Sequence, residues 1–171
     1  LVGAAATGKA RIVAMLLERG ANQLSTKYSK VTALHRAATT DICKLLIEKG
    51  ADIQATTQNG ETPLLSAAGL GRWAVVDFLV ARGSDLNATD NSGHSALYYA
   101  MLTNEEEVIV ALLEKGATIS GTRMWDGKNI LHRAVERKYM DILTRLLKQG
   151  NSPNMIDNDG KTPLHIAAYH D

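Results

Sequence analysis

Three histidines offer the most direct chemistry in this chain. His35, His132 and His165 occupy the same place in a recurring box: Thr32-Ala33-Leu34-His35, Asn129-Ile130-Leu131-His132 and Thr162-Pro163-Leu164-His165. A shared zinc ion would need two ring nitrogens each about 2 Å from the metal. Equivalent positions on neighbouring packed helices lie about 8–10 Å apart. These histidines therefore do not form a metal site. The single thiol, Cys43, aligns with Val13, Val76, Ile109 and Leu143, which predicts a small apolar core residue rather than a nucleophile. Gly69-Leu70-Gly71-Arg72 lacks the lysine and the preceding strand of a phosphate-binding loop. Glu105, Glu106 and Glu107 open a helix, where negative charge suits the dipole, so they read as a solvated helix start. No nucleophile, base and orienter stand out together. The residues thus predict a chain that is not an enzyme and carries no cofactor and no metal.

The elements that position these residues repeat. Glycines close similar segments at Gly20, Gly50, Gly83, Gly116 and Gly150, in steps of 30, 33, 33 and 34 residues. Before each stands an apolar set such as Ile42, Cys43, Leu46 and Ile47, or Val75, Val76, Leu79 and Val80. The spacing i, i+1, i+4, i+5 makes one stripe on a helix. A unit this short cannot bury that stripe alone, whereas stacked units can. Within a unit, Asn59-Gly60 marks a turn. Thr62 suits a helix N-cap and Pro63 the first helical position. Gly71 sits just past the short helix. Each unit therefore reads as turn, short helix, turn, longer helix.

At this point the chain resembles the ankyrin repeat family. The resemblance rests on Gly60-Glu61-Thr62-Pro63-Leu64 with Ala67-Ala68, and on Gly160-Lys161-Thr162-Pro163-Leu164-His165-Ile166-Ala167-Ala168. Weaker copies begin at Thr32, Gly93 and Gly127, and the match covers nearly the whole chain. It implies an all-α ankyrin-repeat solenoid of stacked helix-turn-helix units with finger loops. Four whole repeats, 21–50, 51–83, 84–116 and 117–150, lie between partial ones at 1–20 and 151–171, in a single domain. The second repeat has Lys30 where others have Gly, and it lacks three residues between its helices. Asn104 stands in for Gly in the fourth. The fifth finger, Ser120 to Asp126, is one residue longer. Leu1 and Asp171 fall inside repeats, so the chain is expected to be a segment of a longer protein. The resemblance also implies that the box histidines hydrogen-bond neighbouring backbone and the box Thr. It makes Asn87 and Asn154 positions where asparagine hydroxylation is found in the family.

Composition narrows the partner. The 171 residues carry a formal net charge of +1, which lacks the basic balance of a nucleic-acid groove. One cysteine permits no internal disulfide and suits a reducing compartment, so an intracellular location, cytoplasmic or nuclear, is expected. No apolar run reaches membrane-spanning length, and no membrane insertion is expected in this segment. The expected function is non-catalytic binding of another protein or peptide, as a scaffold or adaptor. The alternative is a regulatory or targeting segment of a larger enzyme or channel. A third reading, RNA or nucleotide binding by finger aromatics, conflicts with the charge.

The resemblance assigns binding to a concave face built from finger tips and the outer ends of the short helices. On this alignment the partner-binding candidates are Tyr28, Leu70, Asn91, His94, Leu102, Met124, Trp125, Lys128, Arg137 and Tyr169. The apolar ones have no evident core partner, and Trp125 is either a partner anchor or folded over its neighbouring repeat. Trp73, opening a longer helix, reads as partly buried packing.

Overall fold

The computed structural model describes residues 1–23, 29–103, 105–119, 124 and 126–169. The chain divides into two compact units, Leu1–Ser92 and Gly93–Asp171. The first contains α1 (Val2–Ala6), α2 (Ala10–Glu18), a 3₁₀ turn (Leu34–Arg36), α3 (Thr40–Glu48), α4 (Pro63–Gly69) and α5 (Trp73–Ala81). The second contains α6 (Ala96–Thr103), α7 (Glu106–Glu114), α8 (Ile130–Glu136), α9 (Met140–Lys148) and α10 (Pro163–Ala167). In the first unit the longer helices α2, α3 and α5 pack in one layer, with α1, the 3₁₀ turn and α4 in the other. In the second, α7 packs on α9, while α6, α8 and α10 form the short-helix layer. Each unit is thus a stack of helix-turn-helix repeats, the all-α solenoid expected from the periodicity.

Local chemistry explains the helix boundaries. Thr62 Oγ1 accepts the Leu65 N–H at 3.2 Å, and Pro63 begins α4 where its missing N–H costs nothing. Thr162 and Asn129 form capping boxes with His165 and His132. The apolar stripe of the longer helices is the core: Val13, Ile42, Leu46, Leu79, Ile142 and Leu146 are fully buried. Removing one such side chain from water contributes about 1.5–3 kcal/mol. Ile12 and Leu147, on the same stripe, stay exposed. Their helices α2 and α9 each pack against one other longer helix, α3 and α7 respectively. Cys43 is fully buried among this core, and burial pushes its thiol up to about 11, so it is inert as a nucleophile.

The shortened second repeat has a structural consequence. Its short element is a single 3₁₀ turn, and Thr39 already caps α3, accepting the Ile42 N–H at 3.4 Å. Carbonyls at the end of so short a helix have no helical partner. Arg72 of the following repeat supplies one: its Nη1 donates to the carbonyls of Arg36 at 2.9 Å and Ala37 at 3.2 Å. Arg72→Ala should therefore lower the stability of the first unit by about 1–2 kcal/mol, the range for hydrogen bonds from a charged donor that is partly solvated. A shift of the urea midpoint would measure it. An unchanged midpoint would show that water serves those carbonyls equally well. Two lysines occupy turn positions that glycine fills elsewhere, Lys30 at φ 53° and Lys138 at φ 59°. Both finger and inter-helix turns thus keep their geometry at some conformational cost.

Candidate functional site

Each finger turns on the residue three before its glycine. In the third repeat this is Thr57, whose N–H donates to the Glu61 carbonyl at 3.0 Å. Its Oγ1 accepts the N–H groups of Asn59 and Glu61, both at 3.2 Å. In the sixth it is Asp157, whose Oδ1 accepts from Asp159 and Lys161, both at 2.9 Å. Burial pushes the Asp157 carboxyl up, but those two backbone hydrogen bonds, with His132 and Lys128 nearby, outweigh it and hold the group below the usual carboxylate range. Fingers are also tied to each other. Gln58 donates its N–H to the Ser29 carbonyl at 3.1 Å, Asn91 to Asn59 at 2.9 Å, and Asn158 to Asp126 at 3.1 Å.

This register corrects one sequence expectation. Met124, expected on the exposed surface, is 6% exposed and belongs to the core side of its finger. Counting back from Gly127 places Met124 level with Thr57 and Asp157, not with the tip. Its N–H donates to the Lys128 carbonyl at 2.8 Å, as the turn requires. A thioether cannot accept the finger N–H groups as Thr57 and Asp157 do, so Asp126 takes over, its Oδ1 accepting the Lys128 N–H at 3.1 Å. The extra residue of this finger is therefore absorbed before Met124.

The same finger is pinned to α8 by a closed ring of four charges. Lys128 Nζ lies 2.6 Å from Glu136 Oε1 and 3.6 Å from Asp126 Oδ2. Arg133 closes the ring, 3.1 Å from Asp126 and 2.8 Å from Glu136. The hydrogen bond to Glu136 raises the Lys128 ammonium above its ordinary value. Burial pushes the Glu136 carboxyl up, yet the hydrogen bonds and charges of Lys128 and Arg133 win and hold it low. All four groups are thus charged at neutral pH. The sequence signal for half of the ring was the i, i+3 spacing of Arg133 and Glu136; Asp126 and Arg133 were not among the expected site residues.

The remaining expected residues fall in several places. Leu70 ends α4 at 47% exposure, and Leu102, in the last turn of α6, is 50% exposed. Asn91 is exposed, and its Nδ2 donates to the Gln58 carbonyl at 3.1 Å. His94 stacks on Tyr98 with ring centroids 4.0 Å apart and meets the edge of Tyr99 at 6.1 Å, an aromatic group of which only His94 was expected. Arg137 caps α8 and is exposed. Tyr169 is exposed, with the Lys161 ammonium 5.4 Å from its ring centroid. Between α8 and α10 these side chains border a recess of about 140 Å³ lined by Lys128, Glu136, Asp157, Lys161 and Tyr169. Tyr28, Trp125, Asn104 and His170 lie outside the described residues. Trp73 is half-buried, as its place at the start of α5 suggested. Among the described residues no three His, Cys, Asp or Glu side chains are grouped to hold a metal, and no helix is long and apolar enough to cross a membrane.

Comparison with known proteins agrees with this architecture. Residues 1–57 and 39–123 match a family model described as ankyrin repeats (3 copies), and residues 131–171 match one described as ankyrin repeats (many copies). Among solved structures, the chain is similar to the ankyrin repeat domain of Bcl-3, described as a unique member of the IkappaB protein family. The identity is 27% and the TM-score 0.75, over 96% of this chain and 75% of that one.

Proposed function

We propose, on the premise that this chain belongs to the ankyrin repeat family, that it is a non-catalytic scaffold or adaptor which binds a protein or peptide through its finger tips and short-helix ends. Domains of this family generally mediate protein–protein interaction and are typically binding modules without catalytic activity. The observation that carries the reading is the ion ring on the fifth finger. Four charges that already satisfy one another hold Asp126 and Lys128 in place without a partner. A fixed finger loses little freedom on binding, which favours affinity. Exposed Leu102 and Tyr169 add apolar area in the same unit. Because Lys128 and Arg133 are matched by Glu136 and Asp126, this face offers a phosphate backbone little uncompensated positive charge, which favours a protein over a nucleic acid. An intracellular site of action, cytoplasmic or nuclear, is part of the proposal and is supported by the lone, unbridged Cys43.

Trp125 stands between Met124 and Asp126 in sequence, and tryptophan is enriched among residues that dominate binding energy. We take it as the partner anchor. The test is affinity capture from cell lysate with bound proteins and nucleic acids both identified, followed by calorimetry with the captured protein. Trp125→Ala should cost about 2 kcal/mol of affinity or more with the melting temperature unchanged. A lowered melting temperature with normal binding by the folded fraction would make Trp125 a packing residue. Capture of nucleic acid alone would overturn the protein-binding reading.

A further inference from the structure

His35 is the box histidine of the shortened repeat, and its hydrogen bonds define its protonation. It is 1% exposed. Its Nδ1 lies 3.1 Å from the Thr32 backbone nitrogen, an obligate donor, so Nδ1 accepts and carries no hydrogen. The Thr32 hydroxyl, 2.8 Å from the same nitrogen, also donates to it. The ring hydrogen is then on Nε2, which donates to the Glu61 carbonyl at 3.0 Å. That carbonyl closes the third-repeat finger, where it also accepts the Thr57 N–H. One imidazole therefore joins the box of one repeat to the finger of the next, and it does so only when neutral. A proton on Nδ1 sets two donors face to face across 3.1 Å.

The surroundings oppose that proton. Burial is the largest influence and lowers the affinity of His35 for it. Hydrogen bonding to the Glu61 and Ala55 carbonyls and the Glu61 carboxylate pull the other way, and Arg36 adds repulsion. Burial wins, and the midpoint lies below 6.5. The closed form is therefore favoured fully above that value, and the preference is lost as pH falls through the folded midpoint. The other box histidine bonded to a following finger, His132, sits on a seven-residue helix with a complete capping box. His35 sits on a single 3₁₀ turn with no side-chain cap, so less holds it in place. The fold does not require histidine here, because the third and fourth repeats carry Leu65 and Tyr98 at the equivalent position, both buried.

We propose that His35 is an acid-operated latch: taking up a proton, it releases the third-repeat finger, residues 57–61, from the second repeat while the longer helices of that unit stay folded. Because Asn91 bonds to Asn59 and Gln58, the release reaches the neighbouring finger.

Amide hydrogen exchange on the full chain tests this, with rates corrected for intrinsic pH dependence. From about pH 7 to about pH 5, the span across which histidine titrates, protection at residues 58, 60 and 61 should fall about tenfold or more. The protonated fraction of the ring grows by about that factor for each tenfold rise in proton concentration while the pH stays above the midpoint. Protection in α3 and α5 should hold. His35→Leu, matching Leu65, should abolish the pH dependence. Loss of protection everywhere at once, no loss at the finger, or an equal loss in His35→Leu would each overturn the latch. An NMR titration of the His35 ring in the unaltered chain guards against a variant that fails to fold: its midpoint must coincide with finger opening, and a mismatch overturns the proposal. None of these readouts depends on the partner.

Discussion

Gly127→Ala should destabilise the second unit by about 2–5 kcal/mol, and Gly150→Ala, the same chemical change, by about 1–2. Both glycines take left-handed backbone, φ 77° and φ 82°. An L-residue there costs about 1–2 kcal/mol in either case. Space makes the difference. A Cβ at Gly150 meets nothing within 4 Å, whereas one at Gly127 lies 2.6 Å from the Asn158 backbone nitrogen. That nitrogen bonds the Asp126 carbonyl at 3.1 Å, so it cannot yield without breaking the tie between fingers. Forced overpacking adds about 1–3 kcal/mol. Urea unfolding of the two variants side by side would check the comparison. Equal losses would mean that the sixth finger moves aside freely and that the fingers are not mechanically joined.

That contrast also shows what was legible beforehand. Period, helix order and caps could be read because each rests on a residue with one strong local preference: Pro63 at a helix start, Thr62 as its cap, glycine where φ is positive. Burial of the stripe followed from spacing alone. Contacts between repeats could not be read so, since they join residues about 30 positions apart. Gln23 Nε2 donating to the Lys49 carbonyl at 3.1 Å, Gln54 to Gly83 at 3.2 Å, and Arg72 to Arg36 have no local signature. Met124 was misplaced because an added residue can be absorbed on either side of a turn, and only the hydrogen bond to Lys128 settles which. The exposed candidates Leu70, Leu102 and Tyr169 were legible as apolar residues without a core partner. The ion ring was not, because it needs a finger and a helix in one place.

The box histidines differ in the same way, although the motif presents them as equals. His132→Ala should cost about 3 kcal/mol and His165→Ala about 1. His132 is fully buried and lies in hydrogen-bond range of the Asn129 N–H at 3.3 Å, Asn129 Oδ1 at 2.6 Å and the Lys161 carbonyl at 3.0 Å. Truncation leaves the Asn129 N–H without an acceptor, worth about 1 kcal/mol or more, and opens a cavity worth about 2. The Lys161 carbonyl is harmed less, since it keeps the Asp157 N–H at 2.9 Å. His165 makes the matching bonds to Thr162, at 3.2 Å and 2.7 Å, but on an exposed turn where water can replace the ring. His132→Leu should recover the cavity part, as Leu65 fills that place in the third repeat. Thermal or urea unfolding of the three variants decides. Equal costs for His132→Ala and His165→Ala would show that burial does not set the value of this hydrogen-bond pair, and a loss of partner binding at native stability would make the histidine part of the recognition surface instead.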